Sequence, residues 1–209
     1  DRQIILKNDD YEQTVKSDPA KMESSTPRYS TNMTVKYGKE SGSYQITGAN
    51  PEEVIIENRK LTEGRYLSNR DLSLKQNVAV IGRMVQRDLI KDGSPVGKDL
   101  DINGTFFKVI GVFSDDGGDF EERVITVPIT TLQQMKKGSD TVSSIYITYD
   151  SKLSPDQAIK YGDQLQKELK AKNKVSPDDE NAIIVRNNAK NMGDTIQFLF
   201  IITLIVGFI

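Results

Sequence analysis

The final twelve residues, Phe198 to Ile209, contain one polar side chain, Thr203, and one glycine, Gly207. As a helix this run covers about 18 Å, at about 1.5 Å per residue. A bilayer core needs roughly 20 apolar residues, so the run by itself is too short to cross. It stays apolar to Ile209, and the chain opens at Asp1 without a methionine. The expectation is a piece of a longer protein in which residues 188–209 begin a transmembrane helix. The ordinary alternative is a buried core helix of roughly 10 to 14 residues. Against it stand the missing amphipathic face and the missing polar stop. No signal peptide precedes the first strand-like stretch, so an upstream segment is expected to carry the chain across the membrane.

The composition removes most chemistry. The 209 residues include no cysteine and no histidine. Disulfides, thiolate catalysis and cysteine zinc sites are excluded. The commonest general base and transition-metal ligand is absent as well, and with it every Ser-His-Asp arrangement. A balance of 28 basic against 30 acidic residues, net charge −2, argues against a nucleic-acid partner.

Local patterns divide the chain into short elements. A strand near Gln3–Lys7 leads to a helix over 9–16, with Asp9 or Asp10 as its cap. Residues 28–36 and 43–47 flank a glycine turn and form a hairpin. Val78–Ile81 is a continuous apolar run, the mark of a buried strand, followed by a helix over 84–90. Asn103-Gly104 between two alternating stretches is a two-residue hairpin signal. A strand at 124–127 and a helix from Thr130 or Thr131 to Met135 come next. After Gly138, residues 143–149 alternate. Ser154-Pro155-Asp156-Gln157 is a capping box with proline at the first helical position. Ala158, Tyr161, Leu165 and Leu169 form that helix's apolar stripe, and residues 182–185 form a closing strand. The fold class expected is α+β. A porter-like strand–helix–strand subdomain, residues 1–47 with 141–187, holds an inserted small α/β subdomain, residues 48–140. A C-terminal helix then enters the membrane.

Candidate sites are few. Gly93 to Lys98 has three residues between its glycines, where a nucleotide-binding P-loop needs four, and Asp99 stands where that loop has Ser or Thr. It reads as a turn. Asp115, Asp116, Asp119, Glu121 and Glu122 place five carboxylates within eight residues. The alternating spacing of an EF-hand is missing. The stretch reads as a mobile acidic loop between two strands, exposed enough to meet a partner. No catalytic, cofactor-binding or metal-binding residue emerges. Gly64, Gly82, Gly97, Gly104 and Gly111 sit at element ends, where positive φ or close backbone approach is needed; they read as framework.

The middle of the chain carries an ordered series of phrases. Gly48-Ala-Asn-Pro51 precedes Leu61-Thr-Glu-Gly-Arg-Tyr66 and Asp71. Asn77-Val-Ala-Val-Ile-Gly82, Leu89 and Pro95-Val-Gly-Lys98 follow. Asp101 through Val112 and Ile125-Thr-Val-Pro-Ile-Thr-Thr131 complete it. This series resembles the extracytoplasmic core domain of MacB-type ABC transporter permeases, a group that includes FtsX-like and LolC/LolE-like subunits. The resemblance implies a two-part outer domain with no catalytic residues and no cofactor. It further implies a bacterial cell membrane with the domain on its outer side, a cytoplasmic ABC ATPase subunit and a second permease copy. A membrane-fusion or adaptor protein is a further implied partner. The expected function is to transmit ATP-driven motion and to contact partners or substrate outside the membrane. The rival expectation is a membrane-anchored extracytoplasmic sensor or ligand-binding domain. A hydrolase running on carboxylates alone would need two facing acids in a cleft.

Overall fold

A computed structural model describes residues 4–191 and 201–206. The chain divides into two units: residues 1–28 with 140–209, and residues 29–139. The end unit opens with β1 (Leu6–Lys7) and α1 (Asn8–Ser17). The helix starts where Asp10 turns back and its carboxylate accepts the Lys7 N–H at 2.8 Å, satisfying a donor that the first turn leaves free. A 3-10 turn at Pro19–Lys21 then feeds β2 (Met22–Tyr37), whose first residues, 22–28, belong to this unit.

The middle unit takes the rest of β2 and pairs it with β3 (Glu40–Ala49). In order follow α2 (Glu53–Ile56), β4 (Lys60–Gly64), α3 (Asn69–Ser73), β5 (Val78–Gly82), α4 (Arg83–Leu89), β6 (Asp99–Ile102), β7 (Thr105–Ser114), β8 (Val124–Pro128) and α5 (Ile129–Met135). Its strand pairings close on themselves. β3 lies parallel to β8, β8 antiparallel to β5, and β5 parallel to β7. β7 is antiparallel to β6, and β6 returns to β2 through Val35↔Ile102. The result is a closed ring of β2, β3, β8, β5, β7 and β6, with β4 added to the far end of β7. The ring is filled by Met33, Val35, Tyr44, Ile46, Ala79, Ile81, Leu100, Ile102, Phe107, Val109, Ile125 and Val127. Val85 and Leu89 of α4 and Leu132 of α5 pack against the same core. Closure leaves these strands without an open edge. The turn between β6 and β7 is Asn103-Gly104, with φ of 51° and 89°. Two successive positive φ values make the tight hairpin turn whose twist matches its strands.

The remaining elements complete the end unit: β9 (Thr141–Val142), β10 (Ser144–Tyr149), α6 (Pro155–Lys172), β11 (Ile183–Asn187), a 3-10 turn at Asn188–Asn191, and β12 (Ile201–Val206). β10 pairs antiparallel with residues 22–28 of β2 and, on its other side, with β12. β12 in turn pairs with β11, and β1 with β9. α6 begins at the expected capping box, where Ser154 N–H donates to Gln157 Oε1 at 2.8 Å. Its buried stripe is Ala158, Tyr161, Leu165 and Leu169.

Two expectations change. The middle unit begins at Tyr29, not at residue 48. The hairpin formed by β2 and β3 is part of the ring, since Val35 pairs with Ile102 and Ile46 with Ile125. Pro51 marks a loop inside that unit, not its border. Residues 201–206, expected within a helix entering the membrane, form β12. Ile201, Ile202, Thr203, Ile205 and Val206 are β-branched and stiff at χ1, which suits a pleated strand. Ile202 and Leu204 are fully buried there. The rest of the expected helix, residues 192–200 and 207–209, lies outside the described residues. Among the described residues no helix is long and apolar enough to cross a membrane.

Candidate functional site

The acidic loop joins β7 to β8 in the middle unit, and both of its roots are tied down by arginines. At the first root Asp115, its side chain 11% exposed, stands 3.6 Å from Arg59 Nε. Arg59 is itself buried and reaches Glu53 Oε1 at 3.3 Å, Tyr66 Oη at 3.3 Å and Thr126 Oγ1 at 2.9 Å. Its guanidinium lies 4.2 Å from the centre of the Phe113 ring. Burial opposes the positive charge on Arg59, but fully buried Glu53 answers it, and the guanidinium pKa is raised on balance. Burial, followed by the charge of Glu53, pushes the Tyr66 hydroxyl far above its ordinary value, so it stays protonated. Buried charge is tolerable only when paired and hydrogen-bonded in this way.

At the second root Glu122 is 1% exposed and sits 2.9 Å from Arg83 Nη2. Arg83 Nε donates to both of its carboxylate oxygens at 3.1 Å. Glu122 Oε1 also accepts the Asp115 N–H at 2.9 Å, so one carboxylate closes the loop across its base. Inside the loop the Gly117 N–H donates to Asp115 Oδ1 at 2.8 Å, and Glu122 N–H to Gly118 O at 3.1 Å. Gly82 makes this closure possible: a Cβ there would lie 2.1 Å from Glu122 O.

The five sequence-selected carboxylates therefore divide. Asp115 and Glu122 face inward and hold the loop. Asp116 is exposed and pairs with Lys60 at 2.9 Å. Asp119 is exposed and Glu121 half-buried. Both roots of the loop are anchored, by Arg59 and by Arg83 with Glu122. Its most exposed large apolar residue escaped the sequence reading: Phe120 is 76% exposed at the tip. An aromatic residue within a run of acids and glycines was the available signal.

The glycine-rich turn before Lys98 is occupied by its own lysine. Lys98 Nζ donates to Asp92 O at 2.8 Å and lies 5.6 Å from the centre of the Tyr37 ring. Among the described residues no group of three or more His, Cys, Asp or Glu side chains is placed to hold a metal ion.

Comparison with known proteins gives this arrangement a relationship. Residues 3–164 match the family described as the MacB-like periplasmic core domain. The chain belongs to that family. Similar MacB-like sequences include the macrolide export ATP-binding/permease protein MacB of Chlorobium phaeobacteroides, 29% identical over 54% of this chain and 18% of that protein. The uncharacterized ABC transporter permease YvrN of Bacillus subtilis is 30% identical over 51% of this chain and 28% of its own length. The chain thus spans less than a third of the length of these curated relatives. The MacB-like fold is shared with the periplasmic region of MacB from Actinobacillus actinomycetemcomitans, with TM-score 0.73 and 24% identity over 84% of this chain and 78% of that one. It is shared too with the extracellular domain of the ABC-type transporter YknZ from Gram-positive bacteria, with TM-score 0.71 and 18% identity over 83% and 87%. Both likenesses describe a mixed α/β domain.

Proposed function

We propose that this chain is the extracytoplasmic domain of an ABC transporter permease in a bacterial cell membrane. It acts without chemistry of its own, passing motion driven by ATP hydrolysis in a separate ATPase to partners or substrate outside the membrane. The family match over residues 3–164 carries this reading. The absence of histidine and cysteine from the sequence is consistent with it. The partners proposed are a cytoplasmic ABC ATPase, a second permease copy and an adaptor or membrane-fusion protein, with no nucleic acid.

Within that reading the anchored loop is the contact element. Asp116, Asp119 and Glu121 supply charge around Phe120, while Asp115 and Glu122 hold the loop in shape. Aromatic residues dominate binding energy at interfaces, and rim charges govern association rate and salt dependence. The test uses the full-length permease reconstituted with its ATPase and its outer partner. Phe120→Ser with Asp116→Asn and Asp119→Asn should leave the melting temperature of the domain within a few degrees. It should lower partner association by about tenfold or more. Normal association in a folded variant would remove the loop from the contact. Failure of the full-length chain to assemble with any ABC ATPase would remove the transporter reading itself.

A further inference from the structure

The middle unit carries a second surface feature, formed by residues outside the acidic loop. An open groove of about 780 Å³ lies at the starts of the parallel strands β5 and β7, beside the end of α5. Its apolar lining residues are Leu74, Val78 and Met135, and its lining amides are Gln76, Asn77 and Gln134. The charged residues lining it are Lys75 and Lys108, with no acid among the lining residues. Lys136 and Lys137, both exposed, follow Met135 directly. This local excess of positive charge stands on a chain whose net charge is −2.

The groove is held open by bonds that do not involve a ligand. Lys75 occupies the left-handed region with φ 49°, which turns the backbone after α3 along the groove. Thr130 Oγ1 donates to Leu72 O at 2.6 Å and Thr131 Oγ1 to Gln76 O at 2.8 Å, clamping that turn to α5. The Lys108 N–H donates to Asn77 O at 2.9 Å and fastens the other wall to β7. A wall fixed in advance spares an incoming ligand the ordering cost that weakens most contacts. Lys108 already shares its charge with Asp99 at 3.1 Å and with Gly97 O at 3.3 Å. Lys75 is exposed and makes no ion pair among the described residues, so its charge is available.

We propose that this groove receives an extended acidic segment of a partner protein. An apolar side chain would sit on Val78 and Met135, a carboxylate would meet Lys75, and the wall amides would answer the main chain of the segment. The open form suits a strand-like segment more than an enclosed small molecule, and Lys75, which has no ion-pair partner among the described residues, selects its charge.

The experiment displays a library of random twelve-residue peptides to the 209-residue chain and to its Lys75→Glu and Leu74→Ser variants. Both substituted positions are exposed, and thermal melting checks that each variant stays folded. Enriched peptides should combine Asp or Glu with a nearby apolar residue. Lys75→Glu should weaken them by about tenfold or more, and Leu74→Ser by a smaller factor. Their affinity should fall as salt rises from about 0.05 to about 0.5 M. A library that yields no binders, or binders that are not acidic or that Lys75→Glu retains, overturns the proposal. Phosphatidylcholine vesicles carrying about a quarter phosphatidylglycerol form the second arm. Lys75-dependent binding to those vesicles would reassign the groove to the membrane surface.

Discussion

Arg83 and Glu122 form an unequal pair: the arginine side chain is 55% exposed, while the carboxylate it grips is 1% exposed. Losing either partner therefore has different consequences. Arg83→Ala strands a buried carboxylate with the Asp115 N–H as a remaining donor, and should cost about 1–3 kcal/mol. Glu122→Gln keeps an acceptor for that N–H and frees an arginine that water can solvate, so it should cost less. Urea unfolding of the two variants checks the order; Arg83→Ala as stable as the parent chain would show that the pair contributes nothing.

Arg59 sits among Glu53, Tyr66, Thr126 and Asp115. Arg59→Ala leaves fully buried Glu53 without its cation and should destabilise by about 3–5 kcal/mol. Arg59→Met combined with Glu53→Gln removes both charges and should recover a large part of that loss. A double-mutant cycle on the melting midpoint measures the coupling, and additive losses would contradict the geometry described.

Two glycines separate steric from conformational demand. Gly82 has an ordinary φ of −71°, but an added Cβ would meet Glu122 O at 2.1 Å. Gly104 has φ +89° with nothing within 4 Å of an added Cβ. Gly104→Ala should cost about 1–2 kcal/mol, the penalty of a left-handed alanine. Gly82→Ala must move the loop root, costs about 1–3 kcal/mol for the overpacking alone, and should also raise proteolytic cleavage within residues 115–122. Limited proteolysis distinguishes the two variants.

Asp71 makes stability depend on pH in acid. Two Arg65 hydrogen bonds, at 2.7 and 3.0 Å, are the largest influence on its carboxyl. Burial works the other way and Ser68 adds to the lowering, so the pKa falls below the ordinary carboxylate value. A carboxyl with a lower pKa in the folded state stabilises fully above its unfolded pKa, about 3.9. That contribution disappears as pH falls through the folded value. Asp71→Asn should cost about 1 kcal/mol at neutral pH through the weakened α3 cap, and should flatten the fall in stability below about pH 4. Unfolding curves from about pH 5 to pH 2 check it; an unchanged slope would assign the acid sensitivity to other carboxyls.

What could be read beforehand was local. Asn103-Gly104 announced its turn because both residues tolerate positive φ. Ser154 and Gln157 announced a helix start because the box lies within four residues. Val78–Ile81 announced a buried strand because both faces are apolar. What could not be read was non-local. Nothing in the spacing of Asp115 and Glu122 shows that Arg59 and Arg83 turn them inward. The unit border was misplaced because the closure of β2 onto β6 joins distant stretches through backbone bonds that composition does not record. The apolar run at 201–206 satisfies both a helix and a strand by hydrophobicity, and neighbouring strands with open edges decided for the strand. The groove beside α5 depends on Lys75, Lys108 and Gln134, which converge only in three dimensions.

The pairing of Thr26 with Tyr146 sets an order on synthesis. β2 contains the first of those residues, and every other strand of the closed ring lies between the two in sequence. As the chain grows, the ring acquires all its partners when Pro128 appears, before any residue of β10 exists. Residues 22–28 must wait with open backbone groups until the opposing strand is made. The end unit therefore completes its pairings second, after those of the middle unit. A slow or slipped turn at Asn103-Gly104 would delay closure of the ring itself, because that turn sets the register of β6 against β7.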